Sequence, residues 1–364
     1  MRIFKQLFIV IFLGCLSPLG AQDFHNSFFQ FAPATINPAL TGAFYGNLRV
    51  NAIGRDESRI SNNGNGFTDL TLALDYNIDF GLTEGDWVSV GGVFSRSNSA
   101  GVGDFRRQVS GLMGAYHLAF GKKSDKVFTV GLRWGSYSTG FRNPITEEYK
   151  DPIGVASGDL NTISTDLSQF VESVFDAIDP LTKDVTSYMG GIMLTSPISK
   201  TADIRIGLSM DHIGSPRLAV SGTPLDTMVI TPRSVEDLQS RINAFVFLYT
   251  DINKKLTFNP NILFQRQGGT TNVVLQALFN YLWDEEKQIS FIFGAGARVV
   301  NDLDIPLYVG LDLKDLRVGL SYDTNVGGLT QASSTFGALE LGVTKIFNWK
   351  KKPEVKPVFI CPRL

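Results

Sequence analysis

Hydrophobic and polar positions alternate with a period of two from about Asn47 to Phe347, the spacing that sends successive side chains to opposite faces of a strand. In DLTLALDYNID, Leu70, Leu72, Leu74, Tyr76 and Ile78 share one face, and Asp69, Thr71, Ala73, Asp75, Asn77 and Asp79 take the other. DIRIGLSMD repeats the pattern, with Ile204, Ile206, Leu208 and Met210 opposite Asp203, Arg205, Gly207, Ser209 and Asp211. In LDIPLYVGLDL the odd positions from Leu303 to Leu313 are all aliphatic. About fourteen such segments are legible, starting near residues 47, 67, 86, 105, 126, 185, 201, 239, 253, 272, 287, 303, 315 and 335. Each runs to about ten residues, the length of a tilted strand that crosses a bilayer.

A soluble sandwich also alternates, because its apolar face looks inward and its polar face meets water. The connections separate the two architectures. Those after even-numbered segments are short: GLTEG, GKKSDK, SKTA, DINK, WDEEK and LKD. Those after odd-numbered segments are long or glycine-rich: SNNGNG, AGVGD, residues 143–184, residues 214–234, QGGTTN and TNVGGLTQASS. Sorting by parity predicts an all-β, closed transmembrane antiparallel barrel of about fourteen strands, with periplasmic termini and long extracellular loops. An even strand count leaves no edge unpaired in lipid. On this register an arginine costs more at lipid-facing Leu208 than at lumen-facing Ser209. Phe80, Trp87, Phe120, Phe128, Trp283, Phe347 and Trp349 fall near the short-turn ends, where an aromatic girdle sits.

One stretch has a different period. STDLSQFVESVFDAIDP puts Leu167, Phe170, Val171, Val174, Phe175 and Ile178 at helical spacing, with Ser164 or Thr165 as a cap and Asp179-Pro180 as a stop. This predicts a short helix in the longest outward loop, either covering the barrel mouth or docking a partner.

The ends divide the chain further. Arg2 and Lys5 precede the apolar run Leu7 to Leu13, and LGAQ follows, the layout of a signal peptide over residues 1–21 with cleavage after Ala21. FLGC, ending at Cys15, is the competing lipoprotein box. Cleavage at Ala21 leaves Cys361 alone and rules out an intrachain disulfide. Residues 22–46 are aromatic and proline-bearing without alternation. They form either a periplasmic segment along the barrel base or a lumen plug ahead of the barrel proper, residues 47–347. Residues 348–364 contain three prolines and the cluster Lys350, Lys351 and Lys352, which predicts an extended periplasmic tail.

Composition narrows the chemistry. The chain is 43% hydrophobic but only 19% charged, with a formal net charge of −2, which offers no footprint for nucleic acid. His25, His117 and His212 are far apart and make no metal-ligand spacing with each other or with a cysteine. GLSMD at Gly207 lacks the second glycine of a nucleophile elbow, and GAGARV at Gly294 is a glycine-rich strand without the helix a phosphate loop needs. Arg133, Arg205, Arg298, Arg317, Asp75, Asp211, Asp323 and Glu340 have the parity of a lumen, where facing Arg–Asp pairs are ordinary filling. The inventory predicts no enzyme, no cofactor and no metal.

Three stretches carry a family resemblance. FHNSFFQFAPATINPALTG contains Asn37, Pro38, Ala39, Leu40 and Gly42 as N-P-A-L-x-G; NLRVNAIGRDE reads as a first strand; LRVGLSYDTNVGGLTQASSTFGALELGVTKIF contains Tyr322, Asp323 and Asn325 as Y-D-x-N before a last strand. Asp323 and Asn325 are residues that turn a chain through side-chain-to-backbone bonds. Together these resemble the PorP/SprF family of the type IX secretion and gliding machinery. That resemblance implies a non-catalytic outer-membrane barrel that partners the secretion machinery. It would anchor, or help export, a large secreted surface protein such as an adhesin through that protein's C-terminal domain. Candidate partner contacts are Phe170, Phe175, Leu218 and Met228 in the outward loops, and Lys350, Lys351 and Lys352 toward other machinery components. N-P-A also opens FadL-like barrels, so the competing reading is a transporter of hydrophobic small molecules.

Overall fold

Each alternating segment becomes a strand, because its two faces meet two different solvents. The computed structural model describes residues 26–57, 67–78, 85–99, 105–121, 125–141, 184–219, 235–300, 303–326 and 337–349. The strands are β1 Leu48–Glu57, β2 Phe67–Ile78, β3 Trp87–Ser99, β4 Phe105–Phe120, β5 Lys126–Phe141, β6 Val185–Pro197, β7 Ala202–Asp211, β8 Arg217–Ala219 and β9 Val235–Asp237. They continue as β10 Arg241–Asp251, β11 Leu256–Gln267, β12 Thr270–Asp284, β13 Ile289–Val299, β14 Leu303–Leu313, β15 Leu316–Asn325 and β16 Ala338–Phe347. Fourteen of them close into one barrel, while β8 and β9 pair apart as a two-stranded sheet between β7 and β10. Closure is antiparallel between β1 and β16, with Arg55 opposite Glu340 and Leu48 opposite Phe347.

The register matches the alternation read from the sequence. Leu74, Ile206, Leu208, Leu307 and Val309 point outward and are exposed, whereas Thr71, Ala73, Asp75, Arg205, Ser209 and Asp211 are buried inside. On β4 the outward apolar run extends from Leu112 to Phe120, and at the usual strand rise and tilt that is roughly 20–25 Å, the height of an outer-membrane apolar band. No described helix is long and apolar enough to cross a membrane.

Three expectations change. Trp87 faces the lumen rather than the girdle: its ring stacks on His117 at 4.3 Å and its Nε1 donates to the Gly42 carbonyl at 3.3 Å. Asp323 does not turn the chain, because β15 runs on to Asn325 and Asp323 points inward. Ser209 is not an open lumen position; its hydroxyl donates to the Ile36 carbonyl at 2.6 Å, so an arginine there would collide with the chain that fills the barrel. The expected signal peptide, Cys15, Phe80 of the expected girdle, the stretch 164–180 expected to be helical, Phe170, Phe175, Met228, Lys350 to Lys352 and Cys361 lie outside the described residues. Leu218 falls in β8.

Candidate functional site

The lumen is occupied by the chain's own residues 26–46. They form short turns: a 3-10 turn Phe29–Phe31, one α-turn Pro33–Ile36 and a second 3-10 turn Pro38–Leu40. Proline begins the last two, its fixed φ suiting a first helical position. Asn37 caps the final turn, its Oδ1 accepting from the Ala39 N–H at 2.8 Å. The same amide reaches the wall, with Nδ2 donating to the carbonyls of Ile192 and Leu208 at 3.1 Å each. One side chain thus shapes the plug and fastens it to β6 and β7.

Glycines on the lumen face make room for this segment. A Cβ at Gly131 would strike the backbone of Pro38 and Ala39, one at Gly191 the Asn37 amide, and one at Gly342 the ring of Phe31. Gly319 is closed over by Phe28 and Phe31. A glycine inside a strand usually marks a close approach by another backbone or a ligand. Here the plug itself makes that approach. Where Pro33 and Ala34 meet Asn51, Ala73 and Met113, no room remains for a water-sized sphere.

Two polar clusters lock the plug. At the end carrying the long connections, the N–H groups of Ser27 and Phe28 donate to the two carboxylate oxygens of Glu340 at 2.8 and 2.7 Å. The Ser27 hydroxyl donates to Asp323 at 2.6 Å, and its carbonyl accepts from Gln276 Nε2 at 2.6 Å and the Tyr308 hydroxyl at 3.1 Å. Arg55 bridges both acids, at 2.7 Å to Asp323 and 2.5 Å to Glu340, and Arg298 adds a contact to Asp323 at 3.3 Å. All four side chains are buried, and pairing two arginines with two acids offsets part of the cost of taking these charges out of water. Where β7 ends and β10 begins, Asp211 pairs with Arg133 at 2.6 Å and Arg241 at 2.9 Å, and Arg241 also donates to the Thr35 carbonyl at 3.1 Å.

The plug leaves at the short-turn end. Arg49 donates to Asp75 through Nε at 3.0 Å and Nη2 at 2.6 Å, and also reaches the Leu40 carbonyl. Asp75 accepts from the Gly42 N–H at 2.6 Å. Gly42 adopts φ +71°, a left-handed conformation that a glycine takes without strain. Buried His117 bonds the Thr41 carbonyl through Nε2 at 2.9 Å. After β16, Trp349 stacks on Tyr76 at 6.1 Å and donates its N–H to Asn47 at 3.1 Å.

Of the motif residues, Asn37, Pro38, Ala39, Leu40, Gly42 and Asp323 meet in one lumen, while Tyr322 faces outward, its hydroxyl oxygen accepting from the Gly337 N–H at 3.2 Å. Asn325 closes β15. Phe28, Tyr308 and Gln276 were not singled out by the sequence; Ser27 and Arg55 lie in the FHNSFFQFAPATINPALTG and NLRVNAIGRDE stretches that carry the family resemblance, and Arg55 and Glu340 share lumen parity on the first and last strands. Among the described residues no group of His, Cys, Asp and Glu is placed to hold a metal.

The family model for the type IX secretion system membrane protein PorP/SprF matches residues 19–344. The chain belongs to the PorP/SprF family. Its place is therefore the outer membrane. None of the curated proteins matches it. Solved structures share the barrel at low identity. The TodX monoaromatic hydrocarbon channel deltaS2 mutant aligns at 12% identity and TM-score 0.51, over 86% of this chain and 93% of that one. The Ralstonia pickettii toluene transporter TbuX gives 12%, TM-score 0.48, 87% and 94%. The toluene transporter TodX of P. putida gives 10%, TM-score 0.46, 86% and 93%. At these identities the likeness concerns the fold.

Proposed function

We propose that this PorP/SprF chain is a non-enzymatic outer-membrane component of type IX secretion. It anchors, or helps export, a large secreted surface protein, such as an adhesin, by binding that protein's C-terminal domain. The observation that carries the reading is the seating of residues 26–46 in the lumen. A barrel filled by its own chain, against glycines that admit nothing larger, has its working surfaces at its two ends. The long connections at 143–184 and 214–234 would face outward and grip the secreted protein, with Phe170, Phe175, Leu218 and Met228 as apolar contacts. The tail with Lys350, Lys351 and Lys352 would face the periplasm and steer toward an acidic component of the machinery. Deleting the loop around Phe170 and Phe175 should release the secreted protein into the medium without unfolding the barrel. Retention at the surface would count against these contacts.

A second reading, transport of hydrophobic small molecules, draws on one feature of the wall. Ile192, Leu194, Ile206, Leu208, Ala244 and Ile262 line a concavity of about 450 Å³, whose floor includes Gly207. The Asn37 amide stands on the inner side of that glycine. Uptake of a hydrophobic compound that depends on this barrel would favour transport.

A further inference from the structure

The lipid face of the barrel is not evenly filled. On β10 the outward run is Ile242, Ala244, Val246 and Leu248, and its two smallest side chains stand in the middle. Their cross-strand neighbours are longer: Leu208 and Ile206 on β7 on one side, Phe264 and Ile262 on β11 on the other. Short side chains between long ones leave a trough. It is the concavity of about 450 Å³ that runs across the wall from Phe128 on β5 to Phe264 on β11, and every residue lining it is apolar. Ile192, Leu208 and Ile262 along it are exposed.

The trough is blind. Gly207, in its floor, has no side chain, and the Phe245 ring closes its inner side; a Cβ built there would also meet the Asn37 amide nitrogen at 3.1 Å. Asn37 braces the wall from behind, because the Ile192 and Leu208 carbonyls that accept from it belong to cross-strand partners on β6 and β7. A molecule entering from outside is therefore held against the wall and not passed through it.

The location names the occupant. The lining side chains have the outward parity of the apolar band, so the surrounding medium is lipid hydrocarbon. Along each strand the trough is two outward residues long, roughly 7 Å. An α-helix, about 10 Å across, would not enter it, whereas an extended hydrocarbon chain would. Hydrocarbon gains nothing by desolvation here; the preference comes from close contact with a floor and two flanks.

We propose that this trough is a resident site for one acyl chain of a bilayer lipid, seated over Gly207 across β6, β7, β10 and β11. The inference does not depend on which protein the outward loops grip. It concerns the same wall as the transport reading but makes the concavity a holding site and not an entrance.

The test is to reconstitute the full-length barrel in phosphatidylcholine vesicles containing a phosphatidylcholine with a mid-chain diazirine, irradiate, and map the adducts by mass spectrometry. Adducts on Ile192, Leu208 and Ile262 should exceed those on Leu320 and Leu341, exposed on β15 and β16 of the far wall. The expected excess is about threefold or more, the modest preference that contact alone supplies. Ala244→Phe, which fills the trough with a larger apolar side chain, should bring the adducts down to the far-wall level. Leu320→Phe should leave them unchanged. Heat-modifiable gel mobility reports folding for each variant. Equal labelling of the two walls in wild type, or undiminished trough labelling in folded Ala244→Phe, would overturn the proposal. So would loss of trough labelling when toluene is added at constant lipid, which would give the site to a small solute.

Discussion

The hydroxyl of Ser27 donates to a carboxylate oxygen of Asp323 across 2.6 Å, joining residues 296 positions apart. Through that contact and the two amides on Glu340, the beginning of the described chain is tied to the strands that close the barrel. Arg55 of β1 faces Glu340 of β16 across the closing seam. Plug seating and barrel closure therefore share one set of charges.

Breaking that set should be costly. Glu340→Ala leaves Arg55 with one buried acid fewer and strands two plug amides. It should destabilise the barrel by about 3–5 kcal/mol, measured by denaturant unfolding in lipid vesicles. The double variant Arg55→Met with Glu340→Met should cost less than the sum of the two single changes. Additive losses would mean that the two side chains act independently.

The glycine floor makes a second, steric prediction. Gly342→Val must displace Phe31 and should cost about 1–3 kcal/mol, the usual range for overpacking, while exposing the plug to protease. Gly92→Ala is a control, since its Cβ would come no closer than 3.7 Å to the Gly111 carbonyl. A protease-resistant plug in folded Gly342→Val would show that the segment does not bear on the wall there.

Leu208→Arg places a charge on the lipid face and should cost about 2–4 kcal/mol if it meets the bilayer midplane. Ser209→Arg should be comparably damaging for a different reason, the loss of the Ile36 contact and crowding of the plug. Removing the plug should relieve Ser209→Arg but not Leu208→Arg. Relief of both, or of neither, would contradict the assigned faces.

The barrel was legible because lipid on one face and lumen on the other force a strict alternation. All fourteen expected starts fall within three residues of the observed strands, the farthest being 253 against Leu256 and 335 against Ala338. The plug's position was open, since residues 22–46 have no period and their partners are distant; Ser27 finds Glu340 across 313 positions. The wall glycines Gly131, Gly191, Gly319 and Gly342 carried no signal of their own, because what they make room for is the distant plug. Asp323 has the lumen parity the alternation gave it, and only its reading as a turn residue failed, because Asp-x-Asn is equally good turn chemistry. Trp87 was misread despite a usable signal, for it shares parity with buried Ser89.

Orientation is tested by labelling intact cells in a Cys361→Ser background. A cysteine at Thr227, in the connection between β8 and β9, should react with an impermeant reagent. One at Lys254, exposed in the turn between β10 and β11, should react only after permeabilisation. The opposite pattern would invert the barrel and exchange the roles given to the loops and the tail.

The central claim, a plugged barrel that holds a secreted protein by its outward loops, is tested most directly by co-purification from the native host in mild detergent. Proteins recovered with the full-length chain are identified by mass spectrometry. The account predicts a large secreted protein retaining a type IX C-terminal domain. It should disappear when the loop at 143–184 is trimmed and persist when residues 350–364 are removed, since Trp349 still packs on Tyr76. Recovery of the barrel without such a protein, together with barrel-dependent uptake of a hydrophobic compound, would contradict the account.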